Sequence, residues 1–167
     1  MNATAARARP RLTLMAETAA EMMSPNPISV RSDVTVAEAS ALLTDRGFGA
    51  APVINEAGHP VGVLSRTDLL VHAREQGRHA CMDEGADWDS PPREAPGFSI
   101  ELVDPTPVCD IMTPVVFTVS PDTPAEKVVE QMLALKVHQM FVVDGDCVLV
   151  GVITGLDVLR HCRPVMA

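Results

Sequence analysis

Two stretches of the chain carry the same order of apolar and polar positions. Each begins with a short β segment, Ile28-Ser29-Val30 in the first and Phe117-Thr118-Val119 in the second. Apolar residues then recur at helical spacing: Val36, Ala39, Leu42 and Leu43, and later Val128, Val129, Met132 and Leu135. Thr35 and Glu38 predict a capping box, in which the two side chains satisfy free amides of the first helical turn. Thr123-Pro124-Ala125-Glu126 is expected to do the same, with Pro at the first helical position, where no amide hydrogen is missed. Two apolar runs follow in each stretch. Ala51–Ile54 and Val61–Leu64 flank a turn at 55–58, and Met140–Val143 and Val148–Ile153 flank Asp144-Gly145-Asp146, a hairpin signal. A last helix is expected near Asp68 and near Asp157. Each stretch therefore reads β-α-β-β-α.

The two stretches superpose in register with a shift of 89 positions and no gap. Met23-Ser24-Pro25 falls on Met112-Thr113-Pro114, Val61-Gly62-Val63 on Val150-Gly151-Val152, Asp68 on Asp157 and Leu70 on Leu159. Such self-similarity points to a duplicated structural unit. One unit of this kind exposes a sheet face that it cannot bury alone, so two must pack together. The fold class is α+β: two β-α-β-β-α repeats related by a pseudo-twofold axis in one module, with two equivalent clefts. The expected organisation is a flexible tail over 1–14, a first domain over 15–72, an acidic, Pro-rich linker over 73–104 and a second domain over 105–163.

Composition narrows the function. Aromatic residues make up 3% of the chain and Tyr is absent, so the core must be aliphatic and base-stacking platforms are lacking. A formal charge of −9 opposes nucleic-acid polymers and anionic membrane surfaces. No window approaches the roughly 20 apolar residues of a membrane span. Cys81, Cys109, Cys147 and Cys162 are spread without a C-x-x-C pair, the pattern of reduced thiols in a cytoplasmic protein.

At Met112-Thr-Pro114, Val119-Ser-Pro-Asp-Thr123 and Val150-Gly-Val-Ile-Thr-Gly-Leu-Asp157 the chain resembles the cystathionine-β-synthase-type (CBS) domains. Met23-Ser-Pro25, Val30-Arg-Ser-Asp33 and Val61-Gly-Val-Leu-Ser-Arg-Thr-Asp68 carry the same resemblance in the first copy. It implies a tandem pair, or Bateman module. Such modules commonly bind AMP, ADP, ATP or S-adenosylmethionine between the repeats, assemble as dimers and regulate an attached or separate effector. A regulatory, allosteric role is thus expected, with an adenine-type small molecule, a homodimer and an unknown effector protein as partners. The alternative is a dimerisation or interaction scaffold that binds no nucleotide.

The candidate ligand residues follow from these motifs. Ser65-x-x-Asp68 and Thr154-x-x-Asp157 admit two readings. An ionised carboxylate is suited to accept both hydroxyls of a ribose cis-diol, with the Ser or Thr on sugar or phosphate. The same spacing is also that of a helix cap. His138 and Gln139 resemble part of a Lys-Ile-His-Arg segment that faces nucleotide phosphates in the gamma subunits of AMP-activated kinases, with Gln139 replacing its Arg. The alternative is a His that complements a helix C-terminus. The first copy has Gly49 and Ala50 at the matching places, so the cleft of Asp68, faced by His138 and Gln139, is expected to suit a phosphorylated nucleotide better than the cleft of Asp157. Ile28 and Phe117 are candidates for the purine wall or for core packing. His79, Cys81, Asp83 and Glu84, and likewise His161 and Cys162, make a weak metal pattern, and no metal site is expected. No nucleophile, phosphate loop or acid–base pair is placed by motif, so no catalytic residue and no enzyme activity are expected.

Overall fold

A computed structural model describes residues 11–83 and 104–165 of the chain. It contains nine strands and five α-helices among these residues. The expected elements are present: β3 (Val30–Arg31), α2 (Val36–Asp45), β4 (Ala50–Ile54), β5 (Pro60–Ser65) and α3 (Arg66–Asp83), and again β6 (Thr118–Val119), α4 (Ala125–Leu135), β7 (Gln139–Val143), β8 (Leu149–Thr154) and α5 (Gly155–Arg160). The leader of the chain adds β1 (Arg11–Leu14), α1 (Ala19–Met22) and β2 (Ser24–Pro25), and the chain closes with β9 (Cys162–Val165).

The described residues form two compact units, and each combines one repeat with the leader of the other. The first unit holds the described residues up to Ile28, the turn Glu56–Pro60 and those from Val116 onward. Its four-stranded sheet runs in the order β2-β8-β7-β6. β2 joins antiparallel to β8, with Ser24 opposite Val152, and β6 runs parallel to β7. Ala19 and Met22 of the leader are buried with Val128, Met132, Met140, Val142 and Ile153 of the second repeat. The amide of Ala125, which opens α4, donates to the Glu17 carbonyl, and that of Ala19 donates to Thr123.

The second unit repeats this arrangement with residues 29–55 and 61–115. β3, β4 and β5 form its sheet. A single 3-10 turn, Val108–Asp110, takes the place of α1. The amide of Val36 donates to Thr106 and that of Val108 to Val34, while Val63 and Thr113 exchange two backbone hydrogen bonds. These bonds are the first unit's own, displaced by the sequence shift. Val30, Ala39, Leu43, Val53, Leu64 and Val108 form the second core.

Four local expectations change. Thr35 and Glu38 form the reciprocal capping box, but Thr123 does not. Its hydroxyl accepts the Ser120 amide at 3.1 Å and its own amide is taken by Ser120, so α4 begins at Ala125 behind Pro124. Leu135, expected in the buried stripe of α4, is 47% exposed; it is the last residue of the helix, beyond the buried Val128 and Met132. Arg11–Leu14, expected to end a flexible tail, pair antiparallel with Cys162–Val165, a partner at the far end of the chain that no local pattern signals. Finally, α3 runs on to Asp83, into the stretch assigned to the linker; the rest of that linker, 84–103, and the tail residues 1–10 lie outside the described residues.

Candidate functional site

The two Ser/Thr–Asp motifs open α3 and α5 in the same way. At Ser65 the amide and the hydroxyl both donate to Asp68 Oδ2, at 2.8 and 2.6 Å, and the Asp68 amide donates back to the hydroxyl. At Thr154 the amide and hydroxyl donate to Asp157 Oδ2 at 2.8 and 2.5 Å, with the same return bond. The capping geometry is therefore present in both copies, and it engages one carboxylate oxygen of each Asp. Oδ1 is turned away from the cap.

That second oxygen faces a hydroxyl from the leader packed on the same unit. Ser24 Oγ donates to Asp157 Oδ1 at 3.2 Å, and Thr113 Oγ1 donates to Asp68 Oδ1 at 3.5 Å. Neither hydroxyl was a candidate from sequence. Their signal was the recurrence of Met-Ser-Pro and Met-Thr-Pro, which marks the repeat without stating what the hydroxyl does.

The environments of the two carboxylates differ. Asp157 is 5% exposed, the one buried charged side chain among the described residues. Arg160 reaches its Oδ1 at 3.4 Å. Burial pushes its pKa up, but hydrogen bonds from the Thr154 hydroxyl and amide and from Ser24, with the Arg160 charge, outweigh this and hold it below the usual carboxylate range. Asp68 is only partly buried and opens on a pocket of about 210 Å³ lined by Val71, His72, Glu75, Asp110 and Ile111.

The remaining candidates fall as follows. His138, Gln139, Thr154 and Asp157 gather at one end of the β7–β8 pair: Gln139 lies opposite Thr154, and the His138 carbonyl accepts the Gly155 amide at 3.2 Å. His138 is exposed and lines an apolar groove of about 190 Å³ with Met132, Leu133, Val158 and Leu159. The matching groove of the second unit lies between Leu43, Thr44, Leu69 and Leu70. Phe117 packs against the first core, and its carbonyl accepts the Phe141 amide. Ile28 is 41% exposed. Ser65 and Asp68 belong to the second unit, the other six candidates to the first. The side chains of His79, Cys81 and Asp83, and all of Glu84, lie outside the described residues. Among the described residues no helix is long and apolar enough to cross a membrane, and no group of His, Cys, Asp or Glu is placed to hold a metal.

Comparison with known proteins gives a consistent picture. A family model described as CBS domain matches residues 19–75 and 108–163. The A-adding tRNA nucleotidyltransferase of Aquifex aeolicus is 26% identical over 143 residues, which are 86% of this chain and 14% of that enzyme. The chain spans 53%, 14% and 31% of the curated relatives it matches. Among solved structures, CBSX2 in complex with AMP is 26% identical with a TM-score of 0.63, covering 87% of this chain and 95% of that one. The cytosolic domain of the Mg2+ channel MgtE in complex with ATP is 28% identical with a TM-score of 0.62, covering 88% and 49%.

Proposed function

The chain belongs to the CBS domain family, and from that membership we propose that it is a regulatory module that binds an adenine-containing ligand and passes the bound state to a partner protein. The ligand class is AMP, ADP, ATP or S-adenosylmethionine. The observation that carries this reading is the carboxylate of Asp68. Its Oδ2 is committed to the helix cap, Oδ1 has only the distant Thr113 hydroxyl at 3.5 Å, and the residue lines an open pocket. A carboxylate oxygen so presented accepts a ribose hydroxyl in the charge-assisted geometry that makes such bonds strong. The AMP and ATP held by the two solved structures described above support the adenine class.

In this reading His138 and Gln139 meet phosphate, and Ile28 and Phe117 offer apolar surface to the purine. The chain performs no reaction on the ligand. Binding acts by favouring one of two conformations, and the effector senses which one is populated. The module works in the cytoplasm as a homodimer. The equivalent helix grooves support a dimer, because Leu70 and Leu159, at matching positions beside them, are 71% and 63% exposed.

A thermal-shift panel with AMP, ADP, ATP and S-adenosylmethionine tests the reading. A ligand at 100 times its Kd stabilises by about 2.7 kcal/mol, so one compound is expected to raise the Tm in a dose-dependent way. A flat panel on protein stripped of any carried-over ligand would refute the sensor. The exposed leucines would then favour the second reading, a nucleotide-free scaffold, recognised by a light-scattering dimer that Leu70→Glu and Leu159→Glu convert to monomer.

A further inference from the structure

We infer that the two repeats are not equivalent as ligand sites: Ser24 and the α5–β9 corner close Asp157 as a structural carboxylate, leaving Asp68 as the single ribose acceptor of each chain. The inference rests on the adenosine-ligand reading for its functional half, and on geometry alone for its structural half.

The two carboxylates begin from the same place, since each gives Oδ2 to its own helix cap. They part at Oδ1. Asp157 Oδ1 accepts from Ser24 at 3.2 Å and from Arg160 at 3.4 Å, and the side chain is 8% exposed. A ribose diol arriving there would have to displace a bonded hydroxyl from a buried oxygen. Asp68 Oδ1 has Thr113 at 3.5 Å, the outer limit of a hydrogen bond, and its side chain is open to a pocket.

The cause lies in how each repeat ends. Asp68 lies in the first turn of an 18-residue helix, and Val71 occupies the position that Arg160 holds in the second copy. After Asp157 the helix lasts only to Arg160. His161 then turns the chain, its Nδ1 bonded to the Asp157 carbonyl at 2.8 Å, and β9 pairs with β1 of the leader. The same leader carries Ser24. Asp157 is thus held from the leader side and from the C-terminal side at once. Arg160 is 63% exposed at its side chain, so Ser24 and burial account for most of the closure.

Two measurements on the full chain test this separately. The first uses no ligand: urea midpoints of Ser24→Ala, Asp157→Asn and the double variant, beside Thr113→Ala, Asp68→Asn and their double. A closed Asp157 makes the first pair non-additive and leaves the second additive. Additivity in both cycles overturns the inference whatever the protein binds. The second is equilibrium dialysis with AMP. One molecule per chain is expected, lost at least tenfold in affinity in Asp68→Asn and changed less than twofold in Asp157→Asn. Two molecules per chain, or the opposite ranking of the variants, overturns it. Coupling in the first cycle alone, with none of AMP, ADP, ATP or S-adenosylmethionine bound, supports the closed carboxylate and refutes the sensor reading instead.

Discussion

The side chain of Met23 occupies the space that a Cβ on Gly151 would need: such a Cβ would overlap Met23 Sδ and lie 2.9 Å from Cγ. The equivalent pair in the other unit is Met112 on Gly62, where a Cβ would meet Sδ at 2.7 Å and the Thr113 carbonyl oxygen at 2.8 Å. Both residues of each pair recur in the repeat, and their meeting explains why. The leader strand approaches the middle of the V-G-V strand so closely that only a hydrogen fits beneath its methionine.

Gly62→Ala and Gly151→Ala are therefore expected to destabilise by about 1–3 kcal/mol, the range for overpacking. Gly62→Ala is the more costly, because one of its clashes is with backbone, which cannot rotate away. Combining Met23→Ala with Gly151→Ala restores part of the loss, whereas Met112→Ala does less for Gly62→Ala. Urea denaturation of the four variants and two doubles checks the ranking.

Lys136 ends α4 at φ 55, and Cys147 sits in the β7–β8 turn at φ 62. Glycine holds both matching positions in the first repeat, Gly47 at φ 67 and Gly58 at φ 83. A side chain in the left-handed region costs about 1 kcal/mol. Lys136→Gly and Cys147→Gly are expected to stabilise by up to about 0.5 kcal/mol each, after the greater freedom of glycine in the unfolded chain is subtracted. A rise in Tm for both variants is the expected reading.

Asp104 is held at about 2 against an ordinary 3.8. Burial pushes it up, but hydrogen bonds from Thr106, His72 and Gln76 outweigh that; the His72 Nε2 contact measures 2.7 Å. A depressed carboxylate stabilises the fold above its unfolded pKa, and the contribution is lost as pH falls from 3.8 toward 2. Wild type should lose more stability than Asp104→Asn between pH 5 and pH 2, by on the order of 1 kcal/mol. Urea melts at the two ends of that range measure it.

Thr35→Ala removes a complete capping box and is expected to cost about 1 kcal/mol. Thr123→Ala, one residue before Pro124, which holds the matching cap position, removes only turn bonds to the amide and hydroxyl of Ser120 and should cost about half of that or less. Equal losses would show that the two helix starts are alike after all.

The order of elements, the helix stripes of Val36, Ala39 and Leu43, the hairpin at Asp144 and the cap at Thr35 are legible in the residues alone, because each depends on neighbours a few positions away. Periods of two and of 3.6, capping spacing and turn chemistry act over that range. The duplication is legible for the same reason, since equal local patterns build equal local elements.

Partner choice is not local. Nothing in Met23-Ser24-Pro25 says that it belongs with Gly151, or that Ser24 meets a carboxylate 133 residues away. Arg11–Leu14 is too short to declare itself a strand until Cys162–Val165 lies beside it. The motif at Asp157 has the same capping pattern as that at Asp68, yet one carboxylate is buried and the other only partly so. Those differences arise from surfaces that become adjacent only when the chain has folded: which leader covers which sheet, and where α5 stops, decide how much water and how many donors each carboxylate keeps.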